Sequence, residues 1–153
     1  MILAITLYIQ LLLLLIFLVY PKRLHLYEIF FIWMVVWLIT YSIITSLMLN
    51  LKIFELSTKI TDFWTHFFLV LLLYPLIVTV FFDFYLKISS ALLKWGLMGL
   101  CTLLLTASQF LLFRLGVLIN HNQTFAASYW EWGLSVFFTF ICWQWYRKKR
   151  LVR

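Results

Sequence analysis

Apolar and polar positions in this chain do not alternate; they segregate into long blocks. The first block, residues 1–20, contains no charged residue. Pro21 ends it, and Lys22, Arg23 and His25 form a short basic turn. A second block covers residues 29–49, with Glu28 at its start. The polar stretch 50–62 carries Lys52, Glu55, Lys59 and Asp62, and its apolar Ile53, Phe54, Leu56 and Ile60 predict a short interfacial turn. A third block, 63–82, lies between Asp62 and Asp83 and has Pro75 in its middle, which predicts a kink. The fourth and fifth blocks cover 95–119 and 127–146. Each block is close to the roughly 20 residues a helix needs to cross the hydrocarbon core of a bilayer. The pattern predicts an all-α integral membrane bundle of five transmembrane helices, forming one domain over residues 1–153.

The last block shows the signature most fully. Trp130 and Trp132 open it, Trp143 and Trp145 close it, and Arg147, Lys148, Lys149 and Arg150 follow. Aromatic residues at both water interfaces and a cationic anchor at one end are the marks of a membrane-crossing helix. Composition agrees. Only 11% of the residues are charged against 66% hydrophobic, and a soluble domain carries about a quarter charged residues. Lipid must therefore cover most of the surface. The first block has no basic start and no run of small residues at its end, so it reads as a retained helix and not as a cleaved signal.

The net charge of +7 does not indicate nucleic acid, because the basic residues sit between apolar runs. Five spans divide them unequally. Lys52, Lys59 and Arg114 fall on one side, and the other nine fall on the side of Lys22, Arg23 and the C-terminus. The positive-inside rule then places the N-terminus outside and the C-terminus in the cytoplasm. Cys101 and Cys142 lie inside apolar runs and read as small core residues, not a disulfide.

Small and hydroxyl residues recur at helical spacing and predict packing seams. These are Thr6 and Gln10; Ser42 and Ser46; Gly99, Thr102, Thr106 and Gln109; and Glu131, Ser135, Thr139 and Cys142. Ionisable groups within spans are the candidates for chemistry. Arg114 and Glu131 each fall about one turn inside the same boundary, which predicts a pair, either a structural salt bridge or a recognition site for a charged head group. Asp62 and His66 are one turn apart and could relay a proton or hold a metal, with His121 and Glu131 converging from the same side; the alternative is a helix-start acid beside an interfacial imidazole. No metal-ligand spacing, nucleophile elbow or phosphate-binding glycine loop is present in the sequence, so no metal or cofactor is expected.

From about Glu55 onward the chain resembles a family of small, uncharacterised multi-pass membrane proteins of Gram-positive, mostly spore-forming bacteria. The likeness rests on Tyr74-Pro75 within a span, Asp83-Phe84-Tyr85 at its end, the polar Gln109 inside the fourth span, and Trp130-Glu131-Trp132 opening a last aromatic span with a basic tail. The chain departs from that pattern with Asp83 in place of an amide, no second proline after Tyr85, and Gln109 where an acid is common. The resemblance implies five helices in a bacterial plasma membrane and no known activity. The expected function is non-enzymatic: an accessory or structural subunit that packs with itself or with a larger membrane protein. A small transporter or sensor using the polar groups, or a lipid-modifying enzyme, are the alternatives.

Overall fold

The computed structural model describes residues 2–151, with the side chains of 150 and 151 outside that description. Five helices follow in order: α1 (Ile2–Val19), α2 (Leu26–Asn50), α3 (Ile60–Lys87), α4 (Ala91–Arg114) and α5 (Phe125–Leu151). The first four are long and apolar enough to cross a bilayer. The fifth, at 27 residues, is long enough but less apolar. Helices α2 to α5 close a ring in which each packs on the next and α5 returns to α2. Helix α1 stands outside this ring and packs along α3.

The fold is all-helical, as expected, with one small addition. Between α2 and α3 the stretch Phe54–Leu56 forms strand β1, and between α4 and α5 the stretch Leu118–Asn120 forms β2. The two pair antiparallel, Phe54 against Asn120 and Leu56 against Leu118. Backbone bonds from Ser57 to Val117 and from His121 to Ile53 extend the ribbon. The interfacial apolar residues Phe54 and Leu56 are thus strand residues, and Phe54 is fully buried beneath the ribbon with Leu69, Leu112, Val117 and Leu118. Pairing two connections requires them to lie on the same face of the bundle. That face is called the ribbon face below, and the opposite one, which carries residues 20–25, the turn face.

The ends of the helices have local causes. Helix α2 starts on His25, whose N–H donates to Glu28 Oε2 at 2.9 Å. Helix α4 stops at Arg114, five residues before the end expected at Ile119. Gly116 adopts φ +71°, and its N–H reaches the Phe113 carbonyl while the Val117 N–H reaches that of Leu112. This pair of bonds closes a helix through a left-handed glycine, with Val117 and Leu112 in the apolar contact that accompanies it. The expected disturbance at Pro75 is a π-turn over Leu69–Leu73. Pro75 has no N–H for the preceding turn and its ring crowds the carbonyl four residues back, so the helix widens just ahead of it.

The packing seams are only partly those expected. Thr102, Thr106, Gln109, Ser135 and Thr139 are buried, as is Gln10. Ser42 and Ser46 are exposed, and Thr40 takes the interior position on α2. The hydroxyls do not bond across helices. Thr102, Thr106, Ser135 and Thr139 each donate to the carbonyl four residues earlier on their own helix, at 2.8–3.0 Å. The next helix therefore meets a small, already satisfied surface, and close approach is the gain. An added Cβ at Gly133 would sit 3.7 Å from Thr102. Cys101 is buried, Cys142 half-buried, and both are free.

Trp132 and Trp143 are core residues and not interfacial anchors, exposed by only 3% and 1%. The reason is periodicity. Eleven residues make three helical turns, so both share the inward stripe with Val136 and Thr139. Trp130 and Trp145 face outward. Lys149 lies 4.2 Å over the Trp145 ring, Lys148 is exposed, and Arg147 reaches Glu28 at 3.7 Å. The Arg150 side chain lies outside the described residues.

Substituting Gly116→Ala forces a side chain into the left-handed region and is expected to cost about 1 kcal/mol. Gly96→Ala, in mid-helix with open space around it, is expected to be neutral or stabilising. Reversible unfolding in mixed micelles separates the two; equal effects would remove the helix-closing role of Gly116.

Candidate functional site

Beneath the ribbon, α3, α4 and α5 bring a set of polar side chains together, Gln109 and Gln123 buried and His66 and Glu131 half-buried. Gln109 lies five residues, about 8 Å, from the end of α4. Its carbonyl oxygen accepts the indole N–H of Trp132 at 2.6 Å. Its amide nitrogen donates to Gln123 Oε1 at 3.3 Å. The Gln123 amide nitrogen in turn donates to Glu131 Oε2 at 2.7 Å. Every amide in this chain accepts at oxygen and donates at nitrogen, so each bond polarises the next toward the carboxylate at its end. Gln123 is positioned by Asn120, which accepts the Gln123 N–H at 2.7 Å and donates to its carbonyl at 2.9 Å. The same Asn120 closes β2, so the ribbon holds the relay in register.

The other wall is aromatic. Tyr74, fully buried, meets the Trp132 ring edge-on at a centroid distance of 4.8 Å. Its hydroxyl faces Ser108. A cavity of about 10 Å³ lies between His66, Tyr74, Gln109 and Trp132, roofed by Phe54 and Leu118. That is room for about one water molecule. Four hydrogen-bonding side chains line it, and a single water there would join the imidazole of His66 to the amide relay.

Of the five candidates from the sequence, His66, Gln109 and Glu131 belong to this core. Arg114 does not. It is exposed in the last turn of α4, and Glu131 is engaged by Gln123 in its place. The early stop of α4 explains the difference, because a helix continued to Ile119 would have carried Arg114 deeper. Asp62 is buried in the first turn of α3. The convergence expected with His121 does not form, since His121 lies 3.7 Å from Glu55 on the exposed ribbon. Among the described residues no three His, Cys, Asp or Glu side chains are grouped to hold a metal ion. Gln123, Tyr74 and the buried Trp132 were missed. The eleven-residue interval between Trp132 and Trp143 was the available signal for the tryptophan. Gln123 had none, because its role depends on a strand pairing between distant loops.

A second polar cluster sits on the turn face. Asp83, 2% exposed, accepts the backbone N–H groups of Arg23 and Leu24. It also pairs with Lys87 at 2.7 Å, and Lys87 reaches the Tyr20 hydroxyl. This acid fastens the α1–α2 turn to the end of α3 across 60 residues of sequence. Its partners are the protein's own groups, which gives it a structural task.

The class defined by these features is a small helical membrane protein with a closed polar core at one face. No family model, no curated protein and no solved structure matches the chain.

The two pairings of Glu131 make opposite forecasts. Arg114→Ala and Glu131→Ala are expected to add in stability, whereas Gln123→Ala and Glu131→Ala are expected to couple by about 1 kcal/mol. A double-mutant cycle by reversible unfolding checks both. Coupling of Glu131 to Arg114 instead would restore the salt bridge and displace the relay.

Proposed function

We propose that this chain is a non-enzymatic accessory or structural subunit of a membrane, packing with a second copy or with a larger membrane protein. The observation that carries the reading is the closure of the polar core. Its groups bond to one another, and the cavity among them, about 10 Å³, admits no more than a water. A substrate path needs open, convergent polar groups; this core spends its hydrogen bonds on holding helices together.

In this reading all five helices span. Helix α5 packs against both α2 and α4, and a helix lying along two spans shares their depth. Residues 132–146 of α5 carry no charge, with Glu131 and Arg147 at either end of them. The ribbon face is outside and the turn face cytoplasmic, supported by the unequal division of basic residues. The resemblance set out above makes the membrane the plasma membrane of a Gram-positive bacterium. One observation favours a second reading as a small sensor or transporter. His66 lines the cavity that Gln109 also lines, and Gln109 leads through Gln123 to Glu131, so two half-buried titratable groups flank one polar relay.

Extraction of the tagged chain from its native membrane in mild detergent, after crosslinking, is expected to recover a second copy or one larger membrane protein in fixed proportion. Recovery of the chain alone, with Glu131→Gln removing a cellular response at unchanged abundance, would overturn the structural reading in favour of the sensor.

A further inference from the structure

Helices α1 and α3 leave a groove between them that the chain itself does not fill. Its volume is about 280 Å³ and its walls are apolar: Leu13 and Phe17 from α1, Tyr20 just after it, and Leu76, Val80 and Phe84 from α3 are among the residues that line it. The residues on α1 extend over about 10 Å along the axis and those on α3 over about 12 Å. Half the thickness of a hydrocarbon core is about 15 Å. The groove therefore spans most of the depth of one leaflet, and it runs toward the turn face, where Tyr20 and Phe84 stand at its mouth.

Cations overhang that mouth. The Lys22 ammonium lies 4.7 Å from the centre of the Phe17 ring. The Lys87 ammonium lies 4.1 Å from that of Tyr20 and 5.3 Å from that of Phe84. All three rings line the groove. Lys87 is paired with Asp83. Lys22 donates only to the Leu18 carbonyl at 3.2 Å and has no acidic partner among the described residues. Arg23, on the same turn, donates from its guanidinium to the Leu86 carbonyl at 3.3 Å. The mouth thus holds the two cations Lys22 and Lys87 against the one carboxylate of Asp83, with Arg23 on the adjoining turn.

We infer that this groove is a binding site for a single anionic phospholipid of the leaflet on the turn face. One acyl chain lies along Leu13–Tyr20 and Leu76–Phe84, and the phosphate meets Lys22 and Arg23. Apolar contact supplies the seat for the chain. Charge selects the head group, since a surplus of cations at the interface attracts an anion. Bilayer tails would fill any open apolar groove; the charge at its mouth, where Lys22 and Lys87 face the single carboxylate of Asp83, is what selects a head group. The assignment does not depend on the accessory role.

The test uses the full chain in neutral detergent, mixed with equal amounts of phosphatidylglycerol and phosphatidylcholine of matched acyl chains, with native mass spectrometry of the complexes. The wild type is expected to retain one phosphatidylglycerol severalfold over phosphatidylcholine. Lys22→Gln brings the two toward parity, and Val80→Trp, which fills the groove, loses the bound lipid. Lys94→Gln, on the turn face but over the Tyr85 ring, leaves the preference unchanged. Circular dichroism and thermal unfolding check the fold of each variant; should Val80→Trp fail to fold, the Lys22 and Lys94 comparison decides. Equal retention of both lipids by the wild type, or an equal loss with Lys94→Gln, would overturn the site. So would a lipid-free dimer that Val80→Trp renders monomeric, because a second copy would then occupy the groove.

Discussion

A polar group carried into an apolar helical core must find its partner within the protein, because the surroundings offer none. Most of this architecture follows from that constraint. Hydroxyls on the inner faces of α3, α4 and α5 turn back to their own helices. They need nothing from a neighbour and permit close packing. Apart from Gln10, buried in the middle of α1, the longer and more polar buried side chains among the described residues are gathered at the two ends of the bundle. Gln109, Gln123 and Glu131 form one chain at the ribbon face, and Asp83 collects two backbone N–H groups and Lys87 at the turn face.

The ribbon is the unusual device in this arrangement. Two loops of a helical bundle would ordinarily satisfy their backbones with water. Here they satisfy each other, and in doing so they roof the polar core with Phe54 and Leu118. The consequence reaches the chemistry. Asn120 is at once a strand residue and the group that positions Gln123, so the relay exists only while the strands are paired. The relay is therefore tied to the ribbon that covers it. The groove between α1 and α3 differs in kind. It is open, apolar and overhung by cations, and it lies at the periphery where α1 joins the ring. The polar relay and the apolar groove thus occupy different parts of the molecule, and changes to one need not disturb the other.

Long apolar blocks were enough to place the helices, because a membrane-length helix satisfies its own backbone and needs no distant partner to be recognised. His66, Gln109 and Glu131 could also be singled out in advance, as polar groups are rare in such blocks and their retention marks a task. Spacing along one helix further yielded the buried stripe of Thr102, Thr106 and Gln109. What could not be read was whatever depends on two segments far apart. The pairing of Phe54 with Asn120 and the seat of Asp83 beneath Arg23 and Leu24 each join residues about 60 positions apart. Gln123, and not Arg114, partners Glu131, and it is held there by Asn120 of the ribbon. Local chemistry sets the elements and their depth. Which polar groups meet is set by how the helices are threaded together, and that is a property of the packed chain.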